Sequence, residues 1–276
     1  MKVVFSEATS DYSRYSFPYV VWGFPEPSET PADFFDAGFL PSSPQLDRFY
    51  LCRQLRVPLK EWKSTSENRR VLRKGIGLEC RLVPRVEFDF SSAQQRSWLD
   101  YSEQRFGQGV MPAERLNRLM ASPVISHLLV FRHAPSATEV GWVLMYLEPP
   151  RVAYYYFAFY DLNWAARNLG MFMMTRAVEF FLDQGYQHLH LGTCYQERAL
   201  YKAQFEPIEY STGWGWSRDA SVLKTLVRQS PKTGHLLEDP QHPATQALQG
   251  LDIAQASRFQ LAFLQPSAPD FGSLDP

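Results

Sequence analysis

The chain has 276 residues, of which 45% are hydrophobic and 21% are charged, and its formal net charge is −1. This length suits one large domain or two small ones, and the apolar content excludes an intrinsically disordered chain, a collagen-like fibre and a coiled coil. A net charge near zero gives no overall reason to expect nucleic acid or an anionic membrane as a partner. The charge is uneven, however, because residues 53–85 carry ten basic and three acidic residues, which makes +7 within 33 positions.

The cysteines and the apolar runs indicate the cellular compartment of the protein. Cys52, Cys80 and Cys194 are far apart, and no pair has CxxC spacing. This odd count argues against a disulfide framework and against a self-contained four-ligand zinc site. Residues 1–15 have no apolar core of signal-peptide length, and the longest apolar run, Val152–Tyr160, is about half of what a membrane span needs. We therefore expect a reduced, soluble, cytoplasmic protein with no membrane partner.

Hydrophobic periodicity and helix-stop residues divide the chain into short elements. Predicted strands have alternating or continuous apolar residues, whereas predicted helices have one apolar face and are often followed by glycine. In chain order, the predicted elements are a helix over Ala32–Ala37, a strand over Leu55–Trp62, a helix capped by Ser64 or Ser66 and running to about Lys74, a strand over Leu78–Val83, one or two helices around Pro112 within 91–121, a hairpin of His127–His133 and Val140–Glu148, a central strand over Val152–Tyr160, a helix over Leu169–Gln184, a strand over Gln187–Leu191 and a helix near Ala220–Arg228.

The turn after the central strand carries the sharpest local motif, Ala166–Met171, which opens a helix. Asn168 is a good N-cap residue, Gly170 permits close approach of a ligand, and the unpaired N–H groups at a helix start favour an anion. Arg167 would add a charge-assisted contact to phosphate. The motif resembles the RxxGxG/A pyrophosphate loop of the Gcn5-related N-acetyltransferases, except that Phe172 stands where glycine or alanine is usual. A capped helix with a solvated arginine is the alternative interpretation.

The basic segment predicts a cationic ridge. Arg69, Arg70, Arg73 and Lys74 fall at helical spacings that expose their side chains, which suits the phosphate backbone of RNA. A solvated helix face is the plainer interpretation, and charge alone does not decide between the two.

Two histidines and one cysteine are candidates for metal or nucleophile chemistry. His188 and His190 lie two residues apart on one face of a predicted strand, a spacing that could suit a metal. Only Cys194, beyond the strand end, could add a ligand, so we expect no metal there. Cys194 also lacks an identifiable histidine–carboxylate support for a nucleophile, and we expect a buried thiol.

Three blocks of sequence, taken in order, resemble the aminoacyl-tRNA–protein transferases. This family comprises the arginyl-tRNA–protein transferases and their bacterial aspartate/glutamate leucyltransferase relatives. The matching blocks are Asp36–Phe39 with Cys52–Leu59, then Lys63–Arg73, then Phe159–Leu162, Arg167–Gly170, Leu191–Gly192 and Tyr201–Pro207. Together they span about residues 36–210, in the family's order and at similar spacing.

The resemblance implies an α/β fold: a Gcn5-related N-acetyltransferase-like mixed sheet flanked by helices, with a small N-terminal subdomain. We place the N-terminal subdomain with its basic helix at 1–75, the N-acetyltransferase-like domain at 76–217 and a C-terminal extension at 218–276. The resemblance also implies that aminoacyl-tRNA is the acyl donor, in place of acetyl-CoA and with no further cofactor. Arginine or leucine is the expected amino acid, and the acceptor is the N-terminal amine of a protein or peptide, usually one that begins with an acidic residue.

The resemblance also assigns roles to residues. The phosphate near the tRNA 3′ end would be held by Arg167, Asn168, Leu169 and Gly170. The tRNA backbone would lie on Lys63, Ser66, Arg69, Arg70, Arg73 and Lys74. The amine attacks an already activated ester, so positioning could supply much of the rate, but a base or a water chain must still deprotonate the ammonium. The candidates for that neighbourhood, with no base assigned among them, are Tyr160, Asp161, Tyr201 and Lys202.

The chain also departs from the family. Of the several N-terminal cysteines that the family carries, which are implicated in metal or cluster binding, only Cys52 has a counterpart. Tyr50, Leu51 and Phe17–Tyr19 stand where others are common, so we expect no metal site. Thr193–Cys194 replaces the aromatic pair often found after the Leu-Gly. Two alternatives therefore stay open, an acyl-CoA-dependent N-acyltransferase on the same fold and a catalytically silent tRNA- or protein-binding relative.

Overall fold

The computed structural model describes residues 1–5, 21–213 and 215–229. Phe17–Tyr19 and residues 230–276 of the predicted C-terminal extension lie outside these ranges. None of the helices within them has the length and hydropathy needed to cross a bilayer. The elements are, in chain order, β1 (Lys2–Phe5), β2 (Val21–Phe24), α1 (Pro31–Asp36), β3 (Phe39–Pro41), β4 (Phe49–Leu51), β5 (Gln54–Pro58), α2 (Ser66–Lys74), β6 (Leu78–Pro84), α3 (Ser92–Phe106), α4 (Ala113–Met120), β7 (His127–His133), β8 (Thr138–Glu148), β9 (Val152–Tyr160), α5 (Leu169–Asp183), β10 (His188–Thr193), β11 (Glu209–Ser211), β12 (Trp216–Ser217) and α6 (Ala220–Gln229).

The strand predicted over Leu55–Trp62 is shorter than expected. It ends at Pro58, which has no N–H to donate to a strand ladder, and the chain continues as a 3₁₀ turn over Leu59–Glu61. The N–H of Leu59 then donates to the carbonyl of Gln187 at 2.9 Å. The second half of the predicted strand is therefore a turn.

The start of α2 also differs from the prediction, because Thr65 and neither Ser64 nor Ser66 is the N-cap. The Thr65 hydroxyl accepts a hydrogen bond from the N–H of Asn68 at 3.1 Å. In return, the Asn68 side-chain oxygen accepts one from the N–H of Thr65, also at 3.1 Å. This reciprocal capping box satisfies two N–H groups at the helix start.

The packing of the backbone divides the chain into two compact units. The first contains the described parts of Met1–Leu55, Thr193–Gln204 and Ile208–Pro276, and the second contains Arg56–Gly192 with Phe205–Pro207. These units do not follow chain order, so the predicted boundaries at residues 75 and 217 stay predictions. The basic helix α2 belongs to the second unit, together with most of the large sheet.

A mixed sheet with the strand order β10-β9-β8-β7-β6 forms the centre of the second unit. β6, β7, β8 and β9 pair antiparallel, whereas β10 runs parallel to β9. The parallel pair is connected through α5, since parallel neighbours need a long crossover. Arg56–Pro58 of β5 continue the sheet beyond β10. The predicted α/β class, with a mixed sheet flanked by helices, is confirmed.

Helices α3 and α5 cover opposite faces of this sheet. Gly141 and Trp142 are successive residues of β8, so their side chains point to opposite faces. Trp142 is paired with Phe159, and on that face Trp98 of α3 stacks on Phe159 with 4.4 Å between ring centroids. On the other face Met173 of α5 approaches Gly141 so closely that an added Cβ would lie 2.6 Å from its sulfur.

The first unit contains a four-stranded antiparallel sheet with the order β1-β2-β4-β3. Phe34 of α1 packs on this sheet, and its ring stacks on Phe49 with 4.2 Å between centroids. A Cβ at Gly23 would lie 2.7 Å from the Phe34 ring. The glycine therefore provides the room in which α1 lies against the sheet.

Candidate functional site

The predicted phosphate-binding turn lies between the carboxyl end of β9 and the start of α5. After Asp161, a 3₁₀ segment over Leu162–Arg167 leads to Asn168, which has φ 60° and ψ 40°. Asn168 occupies the predicted N-cap position, but its side chain makes no capping hydrogen bond. Its contribution is the left-handed backbone conformation, which asparagine tolerates better than most residues do.

The first turn of α5 presents N–H groups that precede the helical hydrogen-bond ladder. The first bond of that ladder runs from the N–H of Phe172 to the carbonyl of Asn168 at 3.0 Å. The N–H groups of Leu169 and Gly170 lie before it, at the positive end of the helix. Gly170 also has a packing reason to be glycine, because a Cβ there would lie 3.2 Å from the Tyr160 ring.

Tyr160 and Asp161 have different environments at the end of β9. The ring centroid of Tyr160 is 4.9 Å from that of Tyr101 in α3. Burial raises the pKa of the Tyr101 hydroxyl far above its ordinary value, with a smaller contribution from the neighbouring Tyr160. The Asp161 carboxylate accepts hydrogen bonds from the backbone N–H and the side-chain amide of Asn163, both at 2.9 Å. Asp161 thus shapes the turn, while the ring of Tyr160 adjoins Gly170.

Arg167 is exposed but not simply solvated. Its guanidinium carbon lies 4.6 Å from the centre of the Trp164 ring, and a cation–π contact of this kind restrains the side chain. The Trp164 ring in turn meets the His133 ring edge to face at 4.9 Å. The planar guanidinium can still offer its N–H edge to phosphate. Neither Trp164 nor His133 was identified from the sequence.

The predicted cationic ridge lies on the exposed face of α2. Asn68 and Val71 are buried, and the exposed residues of 63–74 are Lys63, Ser66, Glu67, Arg69, Arg70, Arg73 and Lys74. Arg70 is paired with Glu67 through two contacts of 2.6 and 2.5 Å, and its hydrogen bond lowers the pKa of the Glu67 carboxyl. Its charge is therefore partly compensated. The remaining cations leave this face positive.

Helix α2 is fixed against α5 through Gly75 and Phe172. A Cβ at Gly75 would lie 2.1 Å from the Phe172 ring. Phe172 is 4% exposed, and its ring meets that of Phe131 at 6.0 Å. The aromatic residue that interrupts the N-acetyltransferase-like motif therefore points inward and joins the first turn of α5 to the end of α2.

Tyr201 and Lys202 lie in the first compact unit, in the 3₁₀ segment Glu197–Gln204. Tyr201 is 48% exposed. The Lys202 ammonium donates to the carbonyl of Thr193 at 3.2 Å. Although part of the side chain is exposed, burial around the ammonium lowers the pKa of Lys202 to about 8. Burial also raises the pKa of the Cys194 thiol, so Cys194 is the buried, protonated cysteine that the sequence predicts.

His188, His190, Cys52 and Cys80 bear on the predictions about a metal site and free thiols. The rings of His188 and His190 are 6.0 Å apart, and burial lowers the pKa of His190 well below its ordinary value, so this imidazole is neutral. Cys52 and Cys80 are free thiols, buried and half-buried respectively, and burial raises the pKa of each. The absence of a metal remains a prediction.

Comparison with known proteins finds similar leucyltransferases. No protein-family model matches the chain. An aspartate/glutamate leucyltransferase of Chromobacterium violaceum is 24% identical over 186 residues, covering 65% of this chain and 74% of the relative. Another leucyltransferase of the same name, from Marinobacter nauticus, is 27% identical over 179 residues, covering 63% of this chain and 73% of the relative. The chain is therefore similar to the aspartate/glutamate leucyltransferases over about two thirds of its length.

This relationship confirms the family resemblance seen in the sequence blocks and the prediction of a transferase enzyme. Among solved structures, L-PGS from Bacillus licheniformis is similar with a TM-score of 0.39 and 14% sequence identity, over 52% of this leucyltransferase-like chain and 46% of that chain.

Proposed function

We propose that this leucyltransferase-like chain moves an amino acid from an aminoacyl-tRNA to the N-terminal amine of a protein or peptide. One observation carries the proposal: in a chain related to leucyltransferases, the exposed basic helix α2 is packed directly against the turn that begins α5. A long cationic face beside a helix start suits a polyanion that ends in a reactive group. A compact coenzyme needs the helix start for its phosphate but not the long cationic face.

The proposed roles divide between the two surfaces. The tRNA backbone lies along α2 and its flank, on Lys63, Ser66, Arg69, Arg70, Arg73 and Lys74. Phosphate near the 3′ end lies at the start of α5, against the Arg167 guanidinium and the first-turn N–H groups of Leu169 and Gly170, with Asn168 setting the turn. Because Trp164 restrains Arg167 before the donor arrives, less side-chain freedom is lost on binding.

The chemistry needs little beyond positioning. The acceptor amine attacks the ester carbonyl, the bond to the ribose oxygen breaks, and that oxygen takes a proton as the tRNA leaves. The Tyr160 hydroxyl, next to Gly170, is the candidate donor to the oxygen on which charge develops. The N-terminal ammonium of the peptide must first lose a proton. Lys202 is a candidate base for this step because its pKa of about 8 is close to the working pH. Asp161 is a weaker candidate for the base because its carboxylate already accepts hydrogen bonds from Asn163. Tyr201 stays a candidate contact to the acceptor peptide.

The amino acid and the acceptor follow from the relatives. These are named aspartate/glutamate leucyltransferases, so we propose leucine, with arginine as the second choice, and acceptors that begin with aspartate or glutamate. The proposal includes no metal and no cofactor besides aminoacyl-tRNA, and it places the reaction in the cytoplasm.

Mass spectrometry of peptides with varied N-termini, incubated with the protein and a mixture of charged tRNAs, tests this function. The expected product is a peptide heavier by one amino-acid residue, formed only with intact tRNA. Arg167→Ala should reduce its formation without unfolding the protein, whereas Arg96→Ala, at an exposed position on α3, should not. Acetylation of the peptide by acetyl-CoA with no use of tRNA would replace the proposal by the acyl-CoA alternative. Tight tRNA binding without any product would favour the catalytically silent relative.

A further inference from the structure

Trp164 lies in an unusual place for a large aromatic residue. It is half-buried in the 3₁₀ segment before α5, and its neighbours Asn163, Ala165 and Ala166 are exposed. By contrast, the core residue Trp98 is fully buried. The indole N–H of Trp164 donates to no acceptor among residues 1–5, 21–213 and 215–229. A tryptophan on a surface turn offers a ligand a large aromatic face together with a polar N–H.

A continuous set of contacts connects Trp164 to the basic helix. The Arg167 guanidinium lies 4.6 Å from its ring centre, and the His133 ring lies 4.9 Å away. His133 ends β7, and the next residue, Ala134, donates its N–H to the carbonyl of Gly77 at 2.9 Å. Gly77 lies three residues after Lys74, the last residue of α2. The aromatic pair and Arg167 are therefore adjacent to the end of the cationic ridge.

We propose that Trp164, His133 and Arg167 form a stacking site for an unpaired base of the donor RNA. This proposal rests on the proposed function and names a subsite of the same surface. Single-stranded RNA is recognised by aromatic rings and guanidinium planes that stack on bases, next to cations that hold phosphates. Here the Trp164 ring and the Arg167 guanidinium lie together, and the strand that carries His133 continues into a hydrogen bond with the Gly77 segment that follows α2. A site that held only phosphate would require Arg167 and the helix start but not the half-buried aromatic pair of Trp164 and His133.

The probe is a tRNA acceptor-stem hairpin that carries its unpaired 3′ nucleotides, compared with the same hairpin trimmed to a blunt end. Stacking on one base is worth roughly a 5- to 150-fold change in Kd. We expect Trp164→Ala to weaken binding of the overhang hairpin by this factor, to leave binding of the blunt hairpin unchanged and to leave the salt dependence unchanged. Trp164→Phe, which keeps an aromatic face, should retain most of the affinity.

Arg73→Gln is the matched control for the backbone contact. It should weaken the binding of both hairpins and lower the slope of log Kd against log salt by about one, because it removes a single phosphate contact. Circular dichroism establishes that each variant is folded. If Trp164→Ala is not, Trp164→Leu against Trp164→Phe gives the same comparison of aromatic with aliphatic side chains.

The outcomes separate this proposal from the function on which it rests. Equal affinity of the wild type and Trp164→Ala for the overhang hairpin, in a protein that does transfer an amino acid, overturns the stacking site and leaves the function standing. Equal affinity of the wild type for the overhang and blunt hairpins also overturns the stacking site and leaves the function standing. A protein that binds neither hairpin and transfers nothing overturns both.

Discussion

Replacing Gly75 by alanine tests the contact that fixes the basic helix to the start of α5. Gly75 has φ −97° and ψ 18°, a conformation that alanine adopts without strain, so the substitution acts through space alone. The new methyl carbon would lie 2.1, 2.2 and 2.5 Å from three atoms of the Phe172 ring, whereas carbons in contact are normally about 3.5–4.0 Å apart. Phe172 is 4% exposed, so the ring has no solvent-filled space to enter.

We expect Gly75→Ala to lower the free energy of unfolding by about 1–3 kcal/mol, the usual cost of overpacking. The lower conformational entropy of alanine in the unfolded chain offsets about 0.4–1 kcal/mol of this. Urea unfolding followed by circular dichroism measures the difference. Gly215→Ala is the control, because its added Cβ meets nothing within 4 Å and its φ is not in the left-handed region. That variant should stay within about 0.5 kcal/mol of the wild type.

A double-mutant cycle makes the argument specific to the contact. Phe172→Ala alone leaves a cavity and should cost about 3–5 kcal/mol. In the double variant with Gly75→Ala, the clash is gone and the new methyl fills part of that cavity. The double variant should therefore be at least about 1 kcal/mol more stable than the sum of the single effects predicts. Strict additivity, or a Gly75→Ala protein as stable as the wild type, would refute the reasoning.

Three further predictions concern stability. Thr65→Ala removes the capping box of α2 and should cost about 1 kcal/mol in urea unfolding, while the exposed Ser66→Ala should cost almost nothing; equal costs would show that Thr65 is not the cap. Burial lowers the pKa of Lys202 from 10.5 to about 8, so the unfolded chain binds one more proton than the folded chain between these values. The wild type should then gain stability relative to Lys202→Met by about 1.4 kcal/mol per pH unit as the pH rises through this window; unfolding at pH 8, 9 and 10 would contradict this if the difference were constant. Trp98→Ala should lower the free energy of unfolding by about 3–5 kcal/mol, and Trp98→Phe by clearly less, because a ring still stacks on Phe159. Equal decreases in melting temperature for the two variants would contradict this.

Elements with a long hydrophobic pattern could be predicted from the sequence alone. The continuous apolar run Val152–Tyr160 coincides with β9, and the helix predicted over Leu169–Gln184 matches α5 to one residue. Both patterns are local, so they can be interpreted without knowing the rest of the fold. The three- and four-residue strands β1 to β4 could not be predicted in this way, since such short segments are stabilised as strands only by pairing with distant ones.

The candidate site was predictable only in part, for the same physical reason. The Arg167–Gly170 turn is a local motif, and it lies after a strand and at the start of a helix as expected; its binding of phosphate stays a prediction. The interaction of Trp164 with His133 joins residues 31 positions apart, so no spacing rule could identify it. Phe172 was noted in the sequence only as a departure from a motif, whereas its contact with Gly75 explains why an aromatic residue is present there.

The most direct test of the proposed transferase is the rate at which labelled leucine moves from leucyl-tRNA to a peptide that begins with aspartate. We predict transfer by the wild type, a similar rate for Arg96→Ala and a clearly lower kcat/KM for Arg167→Ala, with all three proteins folded. The proposal is contradicted if none of them transfers leucine or arginine from charged tRNA to any such peptide. It is equally contradicted if the wild type acylates the peptide from acetyl-CoA alone.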